Sequence, residues 1–356
     1  MNEIKNVSNN DVADAASDKK QLALRQRERQ IMSEQQDDGL QIVSLGKRGI
    51  QWVGAAESTQ SVKDTLWDFS ACGLPYIWTH YGARGDGVNV FVLDSGIDYY
   101  HSVFRHCGTR LFTKSFVPSA DSHLDGCGHG TWVAGKIVGS GVGLAPNCNL
   151  FSMRVLDDSG TGKADFTNKA LEWILKNEQF PHVINMSLGG AKKNTKQERL
   201  LWQLYKKGAC IIVAAGNDGD DDRFYPADYS GVLAVAAVDK NRSRADFSNY
   251  GAKIAVCAPG VACYSAAPGS GFRRLQGTSM AAPTVAGLVT LGLSYALSKG
   301  FSAGVELRDR ITAALESSAQ DLGAVGRDPY YGFGCIDGKG FFEKLNTLLG
   351  SNNGIS

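Results

Sequence analysis

Residues 182–217 read HVINMSLGGAKKNTKQERLLWQLYKKGACIIVAAGN. Two apolar runs of strand length, HVINMSLGG and ACIIVAAGN, flank TKQERLLWQLYKKG, whose apolar residues recur at helical spacing. Apolar runs without polar alternation belong to strands buried on both faces, and parallel pairing of two such strands requires a crossover helix between them. The pattern continues outward in both directions. VNVFVLD (88–94) and NLFSMRVLD (149–157) precede it, and VLAVAAVD (232–239) and AKIAVCAPG (252–260) follow. TWVAGKIVGS (131–140) and ADFTNKALEWILKN (164–177) read as further helices. The expected fold is therefore α/β, a doubly wound, mostly parallel sheet with helices on both faces. Ligands of such sheets bind beyond the carboxyl ends of the strands, so polar residues just after the apolar runs are the ones to question.

The chain has 356 residues, 43% of them hydrophobic, which suffices for a large core. Its formal net charge of +1 supplies no field for nucleic acid or an anionic membrane, and neither is expected as a partner. The first residues lack the apolar run of a secretory signal, and no later stretch reads as long and apolar enough to span a bilayer. A cytoplasmic protein is expected, or one exported by a route without a signal peptide. The eight cysteines are scattered, several of them in apolar strand-like runs, and free thiols are expected rather than disulfides. No CxxC, HExxH or P-loop pattern occurs, so no metal or cofactor is required.

Composition changes near residue 65. Residues 1–65 are rich in Gln, Asp, Asn, Lys and Ser and read as an amino-terminal extension or short pro-segment, partly disordered. Within it residues 19–36 suit a polar helix, and residues 40–54 a hairpin turning at GKRG. Residues 66–350 form the expected main domain.

Three segments carry chemistry. Asp94 ends the run VNVFVLD, where a carboxylate can orient a partner, although an Asp there alone is as readily a turn residue. His129 lies in GCGHGTWVAGKIV, whose glycines admit close backbone approach and whose apolar run starts a helix, a suitable setting for a general base. Ser279 lies in GTSMAAPTVAGLVTLGLSYAL, in the first turn of a helix apolar almost all round, where the positive helix end favours charge beside the hydroxyl. Pro283 carries no N–H, so the Ser279 carbonyl loses its usual partner four residues on.

FVLDSGID, GHGTWVAG and GTSMAAPTVAG, in this order, resemble the three active-site blocks of the subtilase family. NMSLGG, AAGN, FSNYG and YGFGCIDG resemble further family segments, and the similarity runs from about residue 70 to about residue 345. The resemblance implies a serine endopeptidase in which Ser279 is the nucleophile, His129 the base and then acid, and Asp94 the group that fixes the imidazole tautomer. It implies that Asn217 and the Ser279 N–H form the oxyanion hole, and that an extended peptide is clamped between Gly160–Gly162 and Ser187, Leu188 and Gly189. The segments Ser187 to Gly190 and Ala214 to Asn217, Gly216 included, would line the pocket for the residue before the cut bond. Phe224, just before Tyr225 and Pro226, stands where the family places a floor glycine and would shorten that pocket. A protein or peptide substrate is expected, with the chain's own amino-terminal segment as inhibitor.

The chain also departs from the family pattern. Thr284 follows Pro283 where His is usual, and Trp132 stands where many members have His. The loop after the His129 helix lacks the Asn-rich calcium-binding insert of some members, and Ala255 replaces a calcium-binding Asp of others, so structural calcium is unsupported at the family positions. Asp220 to Asp222 read as a solvated loop. The alternative reading is a weak pseudoprotease acting as a peptide-binding module. An α/β-hydrolase esterase would need GxSxG and the order Ser, Asp, His.

Overall fold

The computed structural model describes residues 42–44, 51–57, 66–118, 123–177, 182–269 and 271–350. In chain order the first strands are β1 (Ile42–Ser44), β2 (Gln51–Glu57), β3 (Asn89–Asp94), β4 (Leu111–Ser115), β5 (Asn149–Arg154) and β6 (Thr161–Lys163). They are followed by β7 (Val183–Met186), β8 (Cys210–Ala214), β9 (Leu233–Val238), β10 (Ile254–Pro259), β11 (Cys263–Ala267) and β12 (Gly271–Gln276). The helices are α1 (Trp67–Ala71), α2 (Tyr76–His80), α3 (His129–Val138) and α4 (Ala164–Asn177), then α5 (Thr195–Lys206), α6 (Thr278–Ser298), α7 (Val305–Ser318) and α8 (Gly338–Gly350).

The main sheet has the order β10-β9-β8-β7-β3-β5-β4, with every neighbouring pair parallel. Its strands are buried on both faces because successive side chains alternate between two cores. Val90 and Val92 of β3, with Ile212 of β8, join α3 and α6, whereas Phe91, Leu93 and Val213 join α4 and α5. This is the doubly wound α/β arrangement that the apolar runs imply. β4, reading LFTKS, escapes the sequence pattern because it is a half-exposed edge strand.

Helix α6 crosses the centre of one face, and from Thr278 to Ala296 every residue is buried. By length and composition it could cross a bilayer, contrary to the sequence expectation. Protein covers 94% of that stretch, so its apolar surface is satisfied by the core.

A second correction concerns the amino-terminal hairpin. Its turn, like the helix expected over residues 19–36, lies outside the described residues. Its two strands do not pair with each other: β1 runs antiparallel to β6, and β2 antiparallel to β12. Each short strand pairs instead with an open edge of the domain, which a lone two-stranded ribbon, marginal in water, cannot match in stability.

Candidate active site

Asp94, the last residue of β3, is 1% exposed and accepts from the Ser95 N–H at 2.7 Å. His129, the first residue of α3, is 2% exposed, and its Nδ1 lies 2.8 Å from Asp94 Oδ1 and 3.0 Å from Oδ2. The helix start packs directly on the strand end. A Cβ at Gly130 would overlap the Gly96 carbonyl and come within 3.2 Å of the Asp94 Cβ, so only glycine permits this approach.

Asp125, which the sequence reading passed over, holds the junction. Its Oδ1 accepts from Ser95 Oγ, the Cys127 N–H and the Gly128 N–H, at 2.8, 3.1 and 2.7 Å. Its Oδ2 accepts from the Thr131 N–H at 2.8 Å and Thr131 Oγ1 at 2.7 Å. Ser95 Oγ in turn accepts from the Gly130 N–H at 2.9 Å. An Asp four residues before the imidazole therefore satisfies amide donors that the helix start leaves without intrahelical partners. The available signal was a capping residue ahead of a helix start.

Ser279 is the second residue of α6 and is 5% exposed. Its Oγ donates to the Ser187 carbonyl at 3.2 Å. Asn217, just beyond β8, accepts through Oδ1 from the Thr278 N–H at 2.8 Å and lies 2.9 Å from Thr278 Oγ1. A backbone N–H can only donate, so this contact identifies the oxygen end of the amide and leaves Nδ2 as the group Asn217 can present. Thr278 was also overlooked, being read only as part of the GTS block. Trp132 is wholly buried and donates to the Arg273 carbonyl at 3.0 Å, and Thr284 Oγ1 back-bonds to Met280 O at 3.0 Å, so both departures from the family pattern are satisfied structurally.

The two stretches read as peptide clamps face each other across β1. Val43 pairs with Gly162 and Ser44 with Thr161, beside Gly160. On the other side the Ser44 N–H donates to the Gly189 carbonyl and the Gly189 N–H to the Ser44 carbonyl, both at 2.9 Å. Ser44 thus sits as the middle strand of an antiparallel three-strand arrangement. The Leu188 side chain is buried in the core on the α4 and α5 side.

Phe224 is 7% exposed, and its ring fills the space between two glycines. A Cβ built on Gly189 would meet its Cζ at 2.7 Å, and one on Gly216 its Cγ at 3.1 Å. Gly190 and Tyr225 exchange a pair of 2.8 Å backbone bonds, which fixes Phe224 against the Ser187 to Gly190 segment. Near the imidazole, burial pushes the Cys127 thiol up to about 12, and all eight cysteines are free. Among the described residues no three His, Cys, Asp or Glu side chains are grouped to hold a metal ion.

The model of the Subtilase family matches residues 85–334. Subtilisin DY of Bacillus licheniformis is 39% identical over 265 residues, covering 72% of this chain and 91% of that protein. An alkaline protease of Alkalihalobacillus alcalophilus is 39% identical over 241 residues, 66% of this chain and 61% of its own length. Subtilisin Savinase of Lederbergia lenta is 40% identical over 215 residues, 59% of this chain and 77% of that protein.

Proposed function

The chain belongs to the subtilase family and is a serine endopeptidase acting on proteins, and from that premise we propose that Asp94, His129 and Ser279 carry the reaction. The observation that carries the assignment is the buried 2.8 Å contact between His129 Nδ1 and Asp94, with Ser279 in the first turn of the core helix. Asp94 accepts the Nδ1 proton, which leaves the Nε2 lone pair as the base. The Ser279 hydroxyl leaves the Ser187 carbonyl, gives its proton to Nε2 and attacks the scissile carbonyl. Asn217 Nδ2 and the Ser279 N–H receive the oxyanion, at a helix end whose dipole favours negative charge. The imidazolium then protonates the leaving amine, and a water deprotonated by the same base hydrolyses the acyl-enzyme. The steps use no metal or cofactor. A fluorophosphonate probe should label Ser279 in the wild type and leave Ser279→Ala unlabelled; labelling elsewhere would refute the assignment.

The amino-terminal segment acts as an intramolecular competitor for the cleft. β1 supports this reading because it takes the antiparallel place between Gly162 and Gly189 that an extended substrate would need. Ser44→Pro removes the N–H bonded to Gly189 and should speed hydrolysis of a small peptide. An unchanged rate would make the strand a passive extension.

The pocket should prefer small or slender residues before the cut bond, because the Phe224 ring already lies against Gly189 and Gly216. Forcing a large aromatic side chain into a filled site costs about 1 to 3 kcal/mol, roughly ten- to a hundredfold in specificity. Phe224→Gly should admit Phe and Tyr; a wild-type enzyme already favouring them would refute this account.

A further inference from the structure

Pro283 leaves the Ser279 carbonyl without the intrahelical donor that an α-helix supplies four residues on. The replacement comes from outside the helix. Ser187 Oγ donates to the Ser279 carbonyl at 3.1 Å, and Asn185 Nδ2 donates to Ser187 Oγ at 3.1 Å. Asn185 is fully buried on β7, the central strand, where its register neighbours are Val92 of β3 and Ile212 of β8. Its Oδ1 has no hydrogen-bond partner. A buried amide among aliphatic side chains, with one half unpaired, costs stability and calls for a compensating role.

We propose that Asn185 is a positioning residue for the nucleophile, acting through Ser187. The amide nitrogen can only donate, so it occupies a lone pair of Ser187 Oγ and leaves that hydroxyl's single proton for the Ser279 carbonyl. The reversed amide would draw the proton to Asn185 and set two oxygens 3.1 Å apart with no hydrogen between them. Ser187 grips Ser279 at two points, because its own carbonyl accepts the Ser279 hydroxyl at 3.2 Å. The relay thereby fixes the peptide plane that follows the Ser279 Cα, the atom that carries the attacking hydroxyl and joins this plane to the one holding the Ser279 N–H. Ser187 also belongs to the proposed clamp, but the side-chain bonds of the relay run to the Ser279 peptide group, so their loss is expected to fall on the chemical step rather than on docking.

The inference rests on Ser279 as nucleophile, and the test separates the two. Asn185→Asp is nearly isosteric but turns the donor into an acceptor, which pulls the Ser187 proton away from Ser279. The expected result is a roughly ten- to hundredfold fall in kcat with KM little changed, since an orphaned buried partner costs about 1 to 3 kcal/mol and each 1.4 kcal/mol is tenfold. Fluorophosphonate should still label Ser279, but more slowly by a similar factor. Pro283→Ala, which returns an N–H to the helix, should restore part of the lost rate in the double variant. Ser187→Ala removes the donor without burying a charge and covers the case in which Asn185→Asp does not fold; it too should lower kcat rather than raise KM. Wild-type kcat in either single variant, or no recovery with Pro283→Ala, would overturn the positioning role. Labelling at a residue other than Ser279 would instead overturn the nucleophile assignment.

Discussion

At the start of α3 one buried carboxylate, Asp125, accepts five hydrogen bonds around the imidazole. At the start of α6 the corresponding work is done by Asn217, Thr278, Ser187 and Asn185, all uncharged. The difference follows from where charge develops. In the proposed mechanism His129 becomes a cation, so carboxylates on its side favour the transition state. In that mechanism the oxyanion forms beside Ser279, where a carboxylate a few ångströms away in a water-excluded site would oppose it by several kcal/mol. Side chains that look interchangeable as helix caps are therefore sorted by the charge that each helix end must tolerate.

The largest effect expected from breaking this arrangement is at its centre. Ser279→Ala or His129→Ala should each lower kcat about a millionfold, the magnitude known for subtilisin, while circular dichroism stays native. Undiminished peptide cleavage by either variant would remove that residue from the mechanism. On the uncharged side, Asn217→Ala should cost about a hundred- to a thousandfold in kcat, as loss of that donor does in subtilisin, because the Ser279 N–H remains. Asn217→Asp should cost more than Asn217→Ala; equal losses would show that charge does not distinguish the two helix ends.

On the charged side the effects are smaller and fall partly on stability. Asp125→Asn keeps the shape but faces amide hydrogens with amide hydrogens, which should cost about 1 to 3 kcal/mol and lower Tm by several degrees. If thermal unfolding of Asp125→Asn matched the wild type, the five bonds would have no net value. The mildest test uses Cys127, two residues before His129. Because burial raises its thiol to about 12, it is protonated near neutral pH, and alkylation should be slow at pH 7 and accelerate as the pH rises. A Cys127 that reacts at pH 7 as fast as an exposed thiol would show that the region around His129 opens in solution.

Much of this was legible along the chain. The doubly wound sheet could be read because a strand buried on both faces must be apolar throughout, and VNVFVLD and ACIIVAAGN are. Asp94 and Ser279 stood out because a strand end and a helix start are where such sheets expose polar groups, whereas Asn217, which alone reads as a turn residue, was named only through the resemblance to the subtilases. Asp125 and Thr278 were missed because a cap reads the same whether it serves structure or function. Asn185 was hidden as one polar letter within an apolar run.

Pairing was decided only in three dimensions. Residues 40–54 have the local marks of a hairpin, but strand propensity says nothing of which edge a strand meets. The open edges at β6 and β12 are created by residues more than a hundred positions away, and they take β1 and β2 separately. The same holds for the donor that replaces the missing Pro283 N–H, since Ser187 reaches Ser279 across 92 residues of chain. Local sequence determines which groups need a partner; the packing of distant elements determines which partner arrives, because hydrogen bonding acts over about 3 Å irrespective of separation along the chain.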